Sequence, residues 1–278
     1  MSEMRAFVVE LAKHGGRIAR DHFRHVAEKD VRAKGSRDYV SHVDHLVQDA
    51  IAARIRARYP SHQILGEEGE HDEDADRWSA ERPLWIIDPI DGTSNFIHGL
   101  PAYTVSIAYC VGGEPVDGVV YDPSRDECFI GERGVGVWLN EQRMQTSGQT
   151  DMARALVAIA LPYRFPEVMD DTVAVISRLS RRWDDHRRSG SAALDLAWTA
   201  VGRIDAYFEI GIHAWDTAAG ELLVRCAGGV ATDFTGATGG LTGRRSIVSA
   251  ASPALHAELL AGVQPLTSWL QRPPFAAG

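Results

Sequence analysis

Apolar residues at Met4, Phe7, Val8, Leu11, Ile18 and Phe23 recur at three- and four-residue steps, which predicts an amphipathic helix with one face packed inward. A second helical pattern, Leu46, Val47, Ala50, Ile51 and Ile55, follows Asp44 and stops at Tyr59-Pro60, where proline disfavours continuation. The polar stretch AKGSRDYVSHVD lies between them. From Gln63 the pattern shortens to β-like runs, QILG, LWIID, TVSIAYCV, PVDGVVYD, ECFIGE and GVWL, separated by Gly, Pro, Asn or Asp. These predict one large, mainly antiparallel sheet.

Beyond Ala155 the pattern alternates again. LVAIAL reads as a strand, 168–179 and 192–202 as helices, DAYFEI as a strand, 217–226 as a helix, and VATDF and SIVSA as short strands. Helices, then strands, then a mixed half predict layered α+β and α/β lobes meeting at a cleft. The division is expected near Asp185, giving an N-terminal α+β lobe, 1–185, and a C-terminal α/β lobe, 186–278. The acidic run EGEHDEDAD reads as a solvated loop and the tail QRPPFAAG as loosely held.

The composition, 45% hydrophobic and 24% charged over 278 residues, is that of an ordinary globular protein with room for a sizeable core. A net charge of -9 argues against nucleic acid and anionic membranes as partners, since both demand surplus Lys and Arg. An anionic substrate would then need a local positive centre, which divalent cations gathered by carboxylates can supply. Cys110, Cys128 and Cys226 are odd in number and widely spaced, which suggests neither a disulfide framework nor a thiolate metal site and fits a reducing cytoplasm. Acidic residues interrupt the apolar ones at the N-terminus, so it does not read as a signal peptide, and no apolar run is long enough to span a bilayer.

WIIDPIDGTSNF, Trp85 to Phe96, carries the chemistry. Its apolar half predicts a buried strand ending at Asp88, followed by a tight turn at Gly92-Thr93 into a short helix. Pro89 fixes the backbone between Asp88 and Asp91, so both carboxylates and the Ile90 carbonyl can face one small volume suited to Mg²⁺. The Gly92 and Thr93 amides would point at an anion beside the metal. Either aspartate alone would read as a turn cap. Two further acidic segments shift the balance: ILGEE sets Glu67 and Glu68 at another strand end, and GIHAWDTAAG sets Asp216 before a helix.

Other patterns carry less. His42 and His45 lack a third zinc ligand at sensible spacing. Asp72, Asp74 and Asp76 imitate a calcium loop, but Arg77 and Pro83 stand where its glycine and glutamate belong. Gly131, Gly134 and Gly136 do not match a dinucleotide fingerprint, and Gly190-Ser191 lacks the frame of a serine hydrolase.

The order GEE, then WIIDPIDGTSNF, then GIHAWD before a small-residue helix resembles the inositol monophosphatase family over roughly residues 5 to 262. Ser94 and Ser41-His42 depart from it, each at a position where a threonine is commoner in relatives. The resemblance implies an αβαβα layered sandwich, commonly a homodimer, and Mg²⁺-dependent, Li⁺-sensitive hydrolysis of a small phosphorylated polyol. Its implied metal ligands are Glu67, Asp88, the Ile90 carbonyl, Asp91 and Asp216, holding two or three Mg²⁺. Asp44 and Thr93, with Glu67, are implied in activating the attacking water. Gly92, Thr93, Gly190, Ser191, Ala192, Glu209 and Asp216 are implied on the substrate side, with Glu209 accepting hydrogen bonds from sugar or cyclitol hydroxyls.

myo-Inositol 1-phosphate is the expected substrate. Histidinol phosphate and fructose 1,6-bisphosphate remain alternatives within the superfamily, because metal residues do not discriminate among them. A regulatory partner of the transcription machinery is the alternative of another class.

Overall fold

Ser2 opens helix α1, Glu3–His22, by accepting a hydrogen bond from the Arg5 amide at 3.2 Å. Its buried face contains Gly15 and Gly16, poor helix formers. A Cβ on Gly15 would lie 2.9 Å from Ile51 Cδ1, and one on Gly16 would lie 2.4 Å from the Tyr121 ring. The glycines therefore let α1 approach both helix α2, His42–Arg58, and the sheet beneath.

The computed structural model describes residues 2–25, 31–35, 38–68, 78–238, 240–241 and 244–272. The run Gly69 to Asp76, including the calcium-like aspartates, and the end of the tail from Pro273 lie outside them. Strands β1, Val31–Gly35, and β2, Asp38–Ser41, pair antiparallel, so the stretch between the first two helices contains a strand pair rather than a plain connection. α2 starts before Asp44, because Ser41 caps it and Asp44, at the third helical position, reaches back to the cap.

The large sheet contains β3 Gln63–Gly66, β4 Leu84–Asp91, β5 Thr104–Val111, β6 Glu114–Asp122, β7 Glu127–Glu132, β8 Gly136–Leu139 and β9 Gln142–Met144. They lie in that order, antiparallel except for the parallel pair β3–β4. Short helix α3, Thr93–Ile97, follows β4. The second sheet has the order β11-β10-β12-β14-β13, from β10 Leu156–Ile159, β11 Asp185–Arg187, β12 Ala206–Ile212, β13 Val230–Thr232 and β14 Arg245–Ala250. Its remaining helices are α4 Pro166–Leu179, α5 Ala192–Ala200, α6 Ala214–Cys226 and α7 Pro253–Val263.

Three hydrophobic clusters order these elements into αβαβα layers. Trp85 and Ile87 of β4 pack with Leu11, Val47 and Ile51 of α1 and α2. Leu84 and Ile86, on the opposite face, belong to the cluster of α5 and α6, which also takes Tyr207 and Ile247 of the second sheet. Phe208 and Val248 join Val168, Leu179, Leu255 and Leu259 of α4 and α7 on the outer side. β4 is buried along its whole length, which is why its sequence is a continuous apolar run rather than an alternation. Sheet membership changes between β9 and β10, well before Asp185, and β11 lies beside β10.

No helix among the described residues is long and apolar enough to cross a membrane.

Candidate metal and phosphate site

A bulge in β4 builds the centre of the cleft. Asp88 pairs with Ser106 and Asp91 with Thr104, so three steps along β4 match two along β5. In a regular strand, residues three apart point to opposite faces; the extra residue brings both onto one side. Pro89, which has no N–H to give the ladder, sits inside the irregularity. The strand thus continues through Asp91 instead of ending at Asp88, and Asp88 secures the bend by accepting from the Ile90 amide at 3.0 Å.

Asp216 arrives from the interlayer helix. It occupies the third position of α6 and accepts from the His213 amide at 2.6 Å, so the helix begins at Ala214 rather than Thr217. One carboxylate oxygen from each of Asp88, Asp91 and Asp216 lies within 4.8 Å of the other two. Glu67, just past β3, hydrogen-bonds to Asp88. The Glu68 carboxylate lies 3.8 Å from His45 Nε2, and its backbone is bracketed by the Gln48 side-chain amide.

Burial first, and then the charges of Glu67, Asp91 and Asp216, hold the Asp88 carboxyl well above the usual carboxylate range. Burial likewise raises Asp216, with Asp91 and Glu67 adding to it. Asp91 is pushed up by burial to about 6, held there against donors that favour its anion. Those donors are the Ser191 hydroxyl at 2.5 Å and the Ala193 and Ala192 amides at 2.7 and 3.2 Å. Crowded oxygen ligands whose charges oppose one another fit a hard divalent cation, which would remove the repulsion that raises them.

Asp91 therefore also caps α5, and Ser191 and Ala192 reach the cleft partly through this aspartate. Gly92, at φ 94°, begins α3; a Cβ there would lie 2.9 Å from the Ala102 carbonyl and 3.3 Å from Ser191 Cβ. Asn95 ties the facing loop down by donating to the Ser189 carbonyl at 2.8 Å. Thr93 Oγ1 lies 3.0 Å from the Ile90 carbonyl and 3.2 Å from Asp44 Oδ1. Asp44 is fully buried, and its other oxygen accepts from the Ser41 amide and hydroxyl at 2.9 and 2.6 Å.

One cleft is lined by Glu67, Asp88, Ile90, Asp91, Gly92, Thr93, Gly190, Ser191, Ala192, Glu209 and Asp216, so the sequence-derived set converges, with Asp44 behind Thr93. Glu209, on β12, accepts from the Tyr207 hydroxyl. Burial pushes it up to about 7, against the Tyr207 hydrogen bond and the charges of Arg164 and Arg188.

Among the lining residues that sequence reasoning missed are Tyr163, Arg164, Arg188 and Asp195. Asp195 was detectable as the lone acid in the apolar run SAALDLAW. It is only 2% exposed, its Oδ1 has no partner, and burial holds its carboxyl well above the usual range. The arginines gave no such signal, since basic residues in loops are ordinarily solvated.

The model of the inositol monophosphatase family matches residues 1–268. The Nus factor SuhB of Pasteurella multocida is 38% identical over 268 residues, covering 96% of this chain and 98% of that protein. Among solved structures, the extragenic suppressor protein suhB of Bartonella henselae superposes with a TM-score of 0.85 at 32% identity, covering 95% of this chain and 99% of that one. The Thermotoga maritima IMPase superposes at 0.83 and 31%, covering 97% and 100%.

Proposed function

Because this chain belongs to the inositol monophosphatase family, we propose that it hydrolyses a small phosphate monoester with Mg²⁺, converting myo-inositol 1-phosphate to inositol and phosphate. Convergence of the Asp88, Asp91 and Asp216 carboxylates within 4.8 Å, in one cleft with Thr93 and Glu209, carries this reading. Glu67, those three aspartates and the Ile90 carbonyl would hold two or three Mg²⁺. Bound there, the ions supply Lewis-acid charge to the phosphoryl group and the departing alkoxide, and make water more acidic.

The chain's own residues do the rest. Thr93, oriented by Asp44, aligns the attacking water and relays its proton, with Glu67 on the same side. The Gly92 and Thr93 amides face the phosphate, and Gly190, Ser191 and Ala192 form the opposite wall. Glu209, steadied by Tyr207, accepts hydroxyls of the polyol. Water attacks directly, so no phosphoenzyme forms.

A screen of inositol 1-phosphate, fructose 1,6-bisphosphate, histidinol phosphate and a 3′-phosphoadenosine nucleotide, with Mg²⁺ or with EDTA, tests the reading. Mg²⁺-dependent phosphate release inhibited by Li⁺ is expected; no release from any ester would refute it. The three free cysteines support a cytoplasmic location, and the family resemblance supports a homodimer.

The name Nus factor, carried by relatives at 38% to 41% identity, supports a second role beside catalysis, as a regulatory partner in transcription. Such a role should survive Asp88→Asn in a pull-down with transcription proteins; loss of the partner along with the metal would tie it to the active site instead.

A further inference from the structure

Ser189 is held from both sides of the cleft. Its carbonyl accepts from Asn95 Nδ2 at 2.8 Å, and the same amide donates to the Ala102 carbonyl at 2.7 Å. Asn95, on α3, thus joins the turn after β4 to the loop between β11 and α5. From α5, the Asp195 carboxyl group accepts hydrogen bonds from the Ser189 hydroxyl and amide. Next in the chain is Gly190, at φ 83°, with no side chain to limit its rotation. A Cβ on Gly190 would lie 3.0 Å from Asn95 Nδ2, and one on Gly92 would lie 3.4 Å from the Gly190 carbonyl, so the two loops are in contact here. Beyond the glycine, Asp91 holds the Ser191 hydroxyl and the Ala192 and Ala193 amides. Asp91 therefore pins one side of Gly190, and the Ser189 contacts pin the other.

The plainest role for Asp195 is to favour the first turn of α5 with its charge, but Asp91 already caps that turn, and Asp195 reaches outside the helix to Ser189. Its burial among the apolar residues of α5, with Oδ1 unpartnered, costs stability that an apolar side chain would not. We propose that Asp195 and Asn95 are positioning residues, which grip Ser189 from α5 and from α3 and so fix the spacing between the turn of Gly92 and Thr93 and the facing wall of Gly190, Ser191 and Ala192. The inference rests on the phosphatase reading, in which the phosphoryl group sits between these walls. Released at Ser189, the loop would turn about Gly190 and the phosphate would lose one wall, although neither positioning residue touches it. The carboxylates that hold the cations would stay in place.

The test measures KM and kcat for inositol 1-phosphate, and Kd for inorganic phosphate by calorimetry, both in Mg²⁺. Asp195→Leu, which removes the acceptor and keeps bulk, should raise KM and the phosphate Kd in parallel by about tenfold, with Mg²⁺ affinity unchanged. Asp195→Asn keeps an acceptor oxygen for Ser189 and should restore both constants to within about threefold. Asn95→Ala, at a partly exposed position, should reproduce the rise, and carries the test if Asp195→Leu does not fold. Because both residues act through Ser189, combining Asn95→Ala with Asp195→Leu should be little worse than the poorer single change. Folded variants with unchanged KM and phosphate Kd, showing only a lower melting temperature, would overturn the positioning role alone, as would fully additive losses. Absence of Mg²⁺-dependent hydrolysis in the unaltered protein would overturn the phosphatase reading and this inference with it.

Discussion

Thr93 Oγ1 lies 3.2 Å from Asp44 Oδ1, and the same hydroxyl lies 3.0 Å from the Ile90 carbonyl, so its one proton has two acceptors. A cation facing the Ile90 carbonyl would leave Asp44 as the acceptor and free a Thr93 lone pair toward water. Thr93→Ala should therefore keep Mg²⁺ affinity, read by calorimetry, while kcat falls about 10²-fold or more. Asp44→Asn should behave similarly, and the double variant should be little worse than the poorer single one. Fully additive losses, or a trapped phosphoenzyme, would contradict the pair.

Asp88 has its charge opposed by Glu67, Asp91 and Asp216. Asp88→Asn should raise the melting temperature of the metal-free protein while abolishing both turnover and the shift produced by Mg²⁺. In the unaltered protein, saturation at 100 times Kd is worth about 2.7 kcal/mol per site. A melting temperature indifferent to Mg²⁺ would argue against the cluster as a cation site.

Glu209 lines the cleft without joining the aspartate cluster, and its proposed role is to read substrate hydroxyls. Glu209→Gln should raise KM for inositol 1-phosphate several-fold more than for an aryl phosphate, since only the former offers hydroxyls to the carboxylate. Tyr207→Phe should do the same more weakly by releasing Glu209. Equal changes on both esters would remove Glu209 from specificity.

Asp195 gives a pH-dependent prediction. Its folded pKa is raised, so between the unfolded value and the folded one the native state holds a proton that the unfolded chain has lost. Its contribution therefore worsens as pH rises through that window. Asp195→Asn should stabilise the protein at pH 8 by ~1 kcal/mol, or about 2–4 °C in a chain of this size, and do little near pH 4. Destabilisation at pH 8 would mean that the carboxylate is satisfied in the folded protein.

Much of this arrangement was legible from local pattern. The run LWIID announced a buried strand, and the acids at its end pointed to the carboxylate cluster that could hold a cation. What stayed hidden depends on partners distant in sequence. The paired strands Val31–Gly35 and Asp38–Ser41 have no alternation to betray them, and α7 offers an apolar face that only the second sheet explains. Asp88 and Asp91 suggested a turn, because a bulge is defined by the count on β5, not by β4 itself. Arg164 and Arg188 become neighbours only when β10 and β11 pair.

Asp91 belongs to the large sheet, yet its carboxylate closes the first turn of α5, while Asp216 stands at the head of α6. The proposed ligand set is thus divided between two stretches of chain that meet only in the assembled molecule. Cut between β9 and β10, neither fragment would own a complete site, and Mg²⁺ would become the ligand that rewards their reunion. Catalytic activity in such a split protein would count reassembled molecules, making the ion a built-in reporter of whether the layers are closed.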